Sequence, residues 1–184
     1  MQTFSKKLAL AAFAAVILAS GAAAQPLTPE VKAKVDAKLK EIQTWSCDPV
    51  LVAAVKAHNA GLSADEKVMS NEKWSKLTVL DPMVRSYTRN AAANFLKSKR
   101  DDQVSEAFLS GADGTKAGFL SKPSSWSHAD KDKHRVPMTG KTWIGPIALD
   151  DSTGLQLVQV GVPVLDAGKP VGSLVVGLAV SKLK

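Results

Sequence analysis

The chain has 184 residues and a formal net charge of +7. This length suits one domain with its own core. The single cysteine, Cys47, excludes an internal disulfide framework. The modest basic excess favours anionic ligands or surfaces and gives no basis for nucleic-acid binding.

In chain order, residues 1–24 read as a secretory leader. Lys6 and Lys7 form a basic start, residues 8–18 are apolar, and Ala22, Ala23 and Ala24 supply small residues before Gln25. The apolar run is shorter than the roughly 20 residues that span a bilayer. Export with cleavage between Ala24 and Gln25 is expected, giving a periplasmic or secreted product. Loss of Lys6 and Lys7 lowers the formal charge from +7 to +5. The expected domain is residues 25–184, with a helical part over 25–102 and a sheet part over 103–184. Cys47 is expected to be a small buried apolar residue.

Residues 28–45 read as a helix, with Thr28 as cap, Pro29 at the first helical position and Glu30 in the first turn. Val31, Val35, Leu39 and Ile42 share a face, and Lys32, Lys34, Lys38, Lys40 and Glu41 are expected to be solvated. Asp48-Pro49 starts a second helix that ends at Gly61. Ser63 and Glu66 form a capping box that opens a third. Asp81-Pro82 opens a fourth, expected to run to about Arg100 with Val84, Tyr87, Ala91 and Phe95 on one face.

Strands are expected at 104–110 and 115–120, joined by the Asp113-Gly114 turn. A polar loop over 121–141 follows, long enough to be functional or unstructured. Three apolar runs, 143–149, 155–165 and 171–183, are separated by polar turns, the signature of an antiparallel meander. In the second run Val158, Val160, Val162 and Val164 alternate with Leu157, Gln159, Gly161 and Pro163. In the third, Leu174, Val176, Leu178 and Val180 alternate with Ser173, Val175, Gly177 and Ala179. One face is bulky and suits helix packing. The other is small and leaves space under the long loop, for a ligand or for the loop itself. The fold class is α+β, with N-terminal helices packed on a five-stranded antiparallel sheet.

These features, over about 103–183, carry a resemblance. They are the Ala112-Asp113-Gly114 turn, Ser124-Ser125-Trp126, the long loop and Gly145-Pro146. The Asp150 to Gly154 turn, Val162-Pro163-Val164 and the Gly168 to Gly172 turn complete the set. In this order they resemble the single Cache family (PDC, PAS-like) of extracytoplasmic sensor domains. The resemblance implies a PAS-like sheet and binding of a small molecule, often an amino acid or carboxylate. With no second membrane helix or cytoplasmic output segment in view, the expected form is stand-alone and secreted.

No nucleophile elbow, zinc-protease motif or phosphate loop occurs, so no catalytic residue is assigned, and no metal or cofactor is implied. The loop carries Lys122, Lys131, Lys133, His134, Arg135 and Lys141, with Trp126 inside it and Trp143 just after. Cationic donors pair with carboxylates, and Trp offers apolar area with one N–H. The candidate ligand-binding residues are therefore Trp126, His134, Arg135, Trp143, Gln159 and Tyr87, with Arg85 as a helper. Trp126 would be the apolar wall, His134 and Arg135 the charge, and Gln159 a contact from the sheet floor. The alternative is that the lysines are solvated and both Trp rings and Tyr87 belong to the core. Two functions stay open. One is a ligand-binding sensor module that passes its state to a membrane receptor or kinase. The other is a structural or interaction protein acting without a ligand, as a homodimer or partner subunit.

Overall fold

The computed structural model describes residues 25–150 and 154–184. The expected leader, its cleavage site and the middle of the 150–154 turn lie outside the described residues. The architecture is α+β, as expected. Among the described residues six helices come first: α1 (Pro29–Ser46), α2 (Pro49–Ala60), α3 (Ala64–Lys67), α4 (Asn71–Lys76), α5 (Pro82–Arg89) and α6 (Ala91–Lys99). Strands β1 (Val104–Gly111) and β2 (Lys116–Phe119) follow, then a short helix α7 (Asp132–Arg135). The meander β3 (Trp143–Leu149), β4 (Gln156–Asp166) and β5 (Lys169–Ala179) completes the sheet. All pairings are antiparallel and the spatial order is β2-β1-β5-β4-β3.

Local chemistry accounts for the helix starts. Thr28, Asp48, Ser63, Ser70, Asp81 and Asn90 each accept a backbone N–H with their side chain. The sequence suggests four helices before the sheet, and two differences explain the six. Ser70 caps α4, a six-residue helix that positions Trp74. Asn90 divides the expected fourth helix. Its backbone is extended (φ −71°, ψ 173°), its side chain caps α6 at the Ala93 N–H, and its Nδ2 donates 2.8 Å to the Ala117 carbonyl. A side chain that satisfies both the helix end and the sheet outweighs helix continuation. The last strand ends at Ala179, so Val180 lies in a 3-10 turn rather than in β5.

Two expectations about α1 are corrected. Lys38 is buried, because it lies three and four residues from Val35 and Ile42 on the packed side. Its ammonium reaches Glu41 at 2.5 Å and Asp101 at 2.7 Å, and lies 5.3 Å over the Trp45 ring. Burial lowers its pKa, but the two carboxylates outweigh that and leave it raised. Cys47 is exposed, since it caps the end of α1 between two helices instead of packing.

The two sheet faces differ as expected. Val158, Val160, Val162, Val164, Leu174, Val176 and Leu178 form the main core with Val35, Ile42, Trp45, Leu51, Val55 and Leu96 from α1, α2 and α6. On the other face Phe108, Phe119 and Val175 join Trp74, Val84, Tyr87 and Trp126 in an aromatic cluster. The 121–141 segment covers the rest of that face. It is ordered by α7, by a 3-10 turn at Pro137–Thr139 and by a bridge from Thr115 to Ser127. No helix among the described residues is long and apolar enough to cross a membrane.

Candidate functional site

The covered face of the sheet is built from small residues at positions where other groups must pass. Gly161 lies under α7, and a Cβ there would come 2.5 Å from the Lys133 carbonyl oxygen. Gly177 is paired on one side with Glu106 of β1 and on the other with Gln159 of β4. Its missing side chain leaves a lane across β5. The Glu106 side chain fills that lane, with Cγ 2.5 Å from where a Gly177 Cβ would stand, and its carboxylate accepts a hydrogen bond from Gln159 Nε2. Gln159 Oε1 in turn accepts from Lys133 Nζ at 3.3 Å. A polar relay thus runs from β1 across β5 and β4 to α7. Burial holds the Glu106 carboxyl above its usual range.

Three cavities open around this relay. One of about 230 Å³ is lined by Glu106, Phe108, Lys122, Ser124, His128, Lys133, Asp150 and Gln159, among others. A second of about 420 Å³ shares Ser124, His128, Lys133 and Gln159 and adds Trp143, Lys131 and Asp132. A third of about 170 Å³, toward the β3 edge, is lined by Trp143, Pro146, Leu157 and Gln159 among others. Space therefore exists between the small sheet face and the 121–141 segment.

The walls carry buried cationic chemistry. The Lys133 ammonium lies 5.5 Å over the Phe108 ring, and burial lowers its pKa. Lys122 stands 4.9 Å over Trp74, again with its pKa lowered by burial. His128 stacks on Phe108 with ring centroids 5.0 Å apart. Behind it, Lys116 is fully buried with Nζ 2.7 Å from His128 Nδ1. Burial, reinforced by Lys133, brings Lys116 down to about 7.

The structure separates the six candidate residues into three groups. Gln159 and Trp143 line the cavities. Trp126 and Tyr87 belong to the aromatic cluster, each about 5.3 Å ring to ring from the other. The Tyr87 hydroxyl donates to Glu66, and burial with that bond holds the phenol well above its usual pKa. Trp126 therefore backs the site from within the core; its indole N–H is buried and has no partner among the described residues. His134 and Arg135 line none of the three cavities. The Nε2–H of His134 donates to the Ala112 carbonyl (3.3 Å), and its Nδ1 accepts from the Ser173 hydroxyl (2.7 Å), so it clamps α7 to the sheet. Burial lowers its pKa. Arg135 is exposed and lies 3.9 Å from Asp132, and the helper Arg85 is exposed as well.

Sequence reasoning missed Glu106, Lys116, His128 and Lys133 as site residues. The Asp-Lys-His-Arg run signals cationic character, but only the helical turn of α7 decides that Lys133 and His134 turn inward and Arg135 outward.

No family model and no curated protein matches the chain. Among solved structures it is similar to the sensor domain of the V. cholerae histidine kinase DctB, with 16% identity and a TM-score of 0.47 over 83% of this chain and 53% of that one. It is also similar to the ligand-binding domain of the Campylobacter jejuni chemoreceptor Tlp3 in complex with 4-methylisoleucine, with 13% identity, a TM-score of 0.44, and 84% and 56% of the two chains covered. A third is the Pseudomonas aeruginosa amino-acid chemoreceptor PctC in complex with GABA, with 14% identity, a TM-score of 0.39, and 81% and 62% covered. The chain spans a little over half the length of the first two. The first is the sensor domain of a kinase, and the other two are ligand-binding domains of chemoreceptors.

Proposed function

We propose that this chain is an extracytoplasmic small-molecule-binding sensor module. Its ligand is a small organic anion or amino acid, held between the small sheet face and the 121–141 segment. The observation that carries the reading is Lys133, a partly buried ammonium in the wall of two cavities that share it. Desolvating a cation is costly, and an incoming carboxylate would offset that cost through a charge-assisted hydrogen bond. Trp143 supplies apolar wall and Gln159 a polar contact, while Glu106 and Asp150 offer an acidic side to an ammonium group. No catalytic role is assigned. In this reading the module acts by presenting its ligand state to a separate membrane receptor or kinase.

The test is a thermal-shift panel of carboxylates, amino acids and purines on the protein, followed by calorimetry on any hit. A ligand at about 100 times its Kd adds about 2.7 kcal/mol, a rise of roughly 5–10 °C for a chain of this size. Lys133→Met is expected to weaken a carboxylate at least about tenfold, the loss of one charge-assisted bond. A panel with no hit, or a Lys133→Met protein that binds the hit as wild type does, would overturn the reading.

A further inference from the structure

We propose that Lys116 is a positioning residue that fixes His128 as a hydrogen-bond donor toward the cavity, so that the site selects a ligand group that accepts hydrogen bonds. The inference rests on the ligand-binding reading above and specifies its chemistry.

The geometry leaves one arrangement of protons. Lys116 Nζ stands 2.7 Å from His128 Nδ1, with Ser110 Oγ and the Gly114 carbonyl each at 3.4 Å and the Phe108 ring centroid at 4.8 Å. Below about pH 7 Lys116 is an ammonium, which has three donors and no acceptor, so Nδ1 accepts and carries no proton. A neutral imidazole then bears its hydrogen on Nε2. That N–H has no hydrogen-bond partner among the described residues. His128 is 5% exposed and lines both of the larger cavities.

The ring cannot readily turn away. It is stacked on Phe108 at 27° between planes, and the His128 backbone N–H donates 3.0 Å to the Gly114 carbonyl. The groups around the dyad are Lys131, Lys133 and His134 from the covering segment, Glu106 from β1 and Asp113 from the turn after it. Three of these five are basic, which opposes a second proton on His128. Burial and Lys116 hold the imidazole far below its usual range, to about 2. At pH 5 an ordinary histidine is mostly cationic, whereas His128 is neutral and Lys116, lowered only to about 7, keeps its ammonium.

Lys116 thus acts through another residue. Its charge lies behind the cavity, and what reaches the cavity is a neutral, oriented N–H. A carboxylate would take that bond together with the Lys133 ammonium, whereas a ligand donor at the same place would meet two donors.

Long-range proton–nitrogen NMR at pH 5 tests this without any ligand, with His128→Gln used to assign the signals. Wild type is expected to show one neutral tautomer, Nε2 protonated and Nδ1 bare. An imidazolium or an Nδ1–H tautomer would overturn the proposal. Lys116→Met is expected to lose the single-tautomer pattern, and Lys116→Gln, which keeps a donor, to retain it. The same Nε2–H pattern in Lys116→Met would show that Lys116 positions nothing. If Lys116→Met does not fold, the wild-type spectrum and Lys116→Gln decide. Succinate, used as the probe, is expected to move the Nε2 signal of His128 and leave that of His134. Lack of succinate binding with the Nε2–H tautomer intact would count against the carboxylate reading and still support the positioning role.

Discussion

Replacing Gly177 by alanine isolates the lane that joins β1 to β4. The new Cβ would lie 2.5 Å from Glu106 Cγ and 2.9 Å from its Oε1, distances that real Cβ atoms do not show. Gly177 is not among the glycines with positive φ, so its backbone can accept a side chain. The Glu106 side chain must then swing out, and its bond to Gln159 is lost. A hydrogen bond to a charged group contributes about 1.5–3 kcal/mol. Alanine recovers roughly 0.5–1 kcal/mol over glycine in a strand. The net cost is about 1–2 kcal/mol, a fall in Tm of roughly 2–8 °C for a domain of this size. Thermal melts on Gly177→Ala, Glu106→Ala and the double variant form a double-mutant cycle. If Glu106 is the group displaced, adding Gly177→Ala to Glu106→Ala should cost nothing further. An unchanged Tm in the single variant, or a full cost that persists in the Glu106→Ala background, would refute the reasoning.

Three further outcomes are expected. Gly172→Ala should cost more than Gly177→Ala, about 3 kcal/mol, because its Cβ would meet the Ser110 backbone carbonyl and Val55 Cγ1, and a paired strand cannot swing aside; chemical denaturation of the two variants ranks them. Asn90→Ala should lose about 2 kcal/mol, combining a lost cap at Ala93 with an unpaired Ala117 carbonyl, read as a fall in Tm. Lys116 binds its proton more weakly when folded, about 7 against 10.5. Between those values the unfolded chain holds the proton and the folded one does not, so stability rises with pH. Melts of wild type and Lys116→Met at pH 6 and pH 9 should show wild type gaining up to ~2 kcal/mol on the variant, and equal pH profiles would contradict it.

The sheet was legible because its signals are local. Period-two valines in β4 and β5, with Asp113-Gly114 and Gly168 at the turns, set pairing and faces together. Capping residues mark four of the six helix starts before the sheet in the same way, at Thr28, Asp48, Ser63 and Asp81, whereas the caps at Ser70 and Asn90 lie where the sequence reading places no helix start. The site was less legible because its residues meet only in three dimensions. Glu106 and Gln159 are two strands apart and touch through a glycine. Lys116 sits in a strand of four residues where nothing in the pattern marks a buried cation. His128 lies in a polar segment far from Lys116 in the strand pattern, and nothing local in the sequence signals their contact. Trp126, chosen as a cavity wall, instead meets Trp74 of the unforeseen α4 and Tyr87 of α5.

The strand order has a kinetic consequence. β5 follows the other four described strands in sequence and stands in the middle of the sheet, between β1 and β4. The β1–β2 hairpin and the β3–β4 pair can each form early, but neither has its second neighbour until β5 inserts. Register between Val104 and Leu178 then closes a loop of more than seventy residues in one step. Such long-range closure slows folding. Until it happens, two apolar strand edges stay open to pairing with other chains.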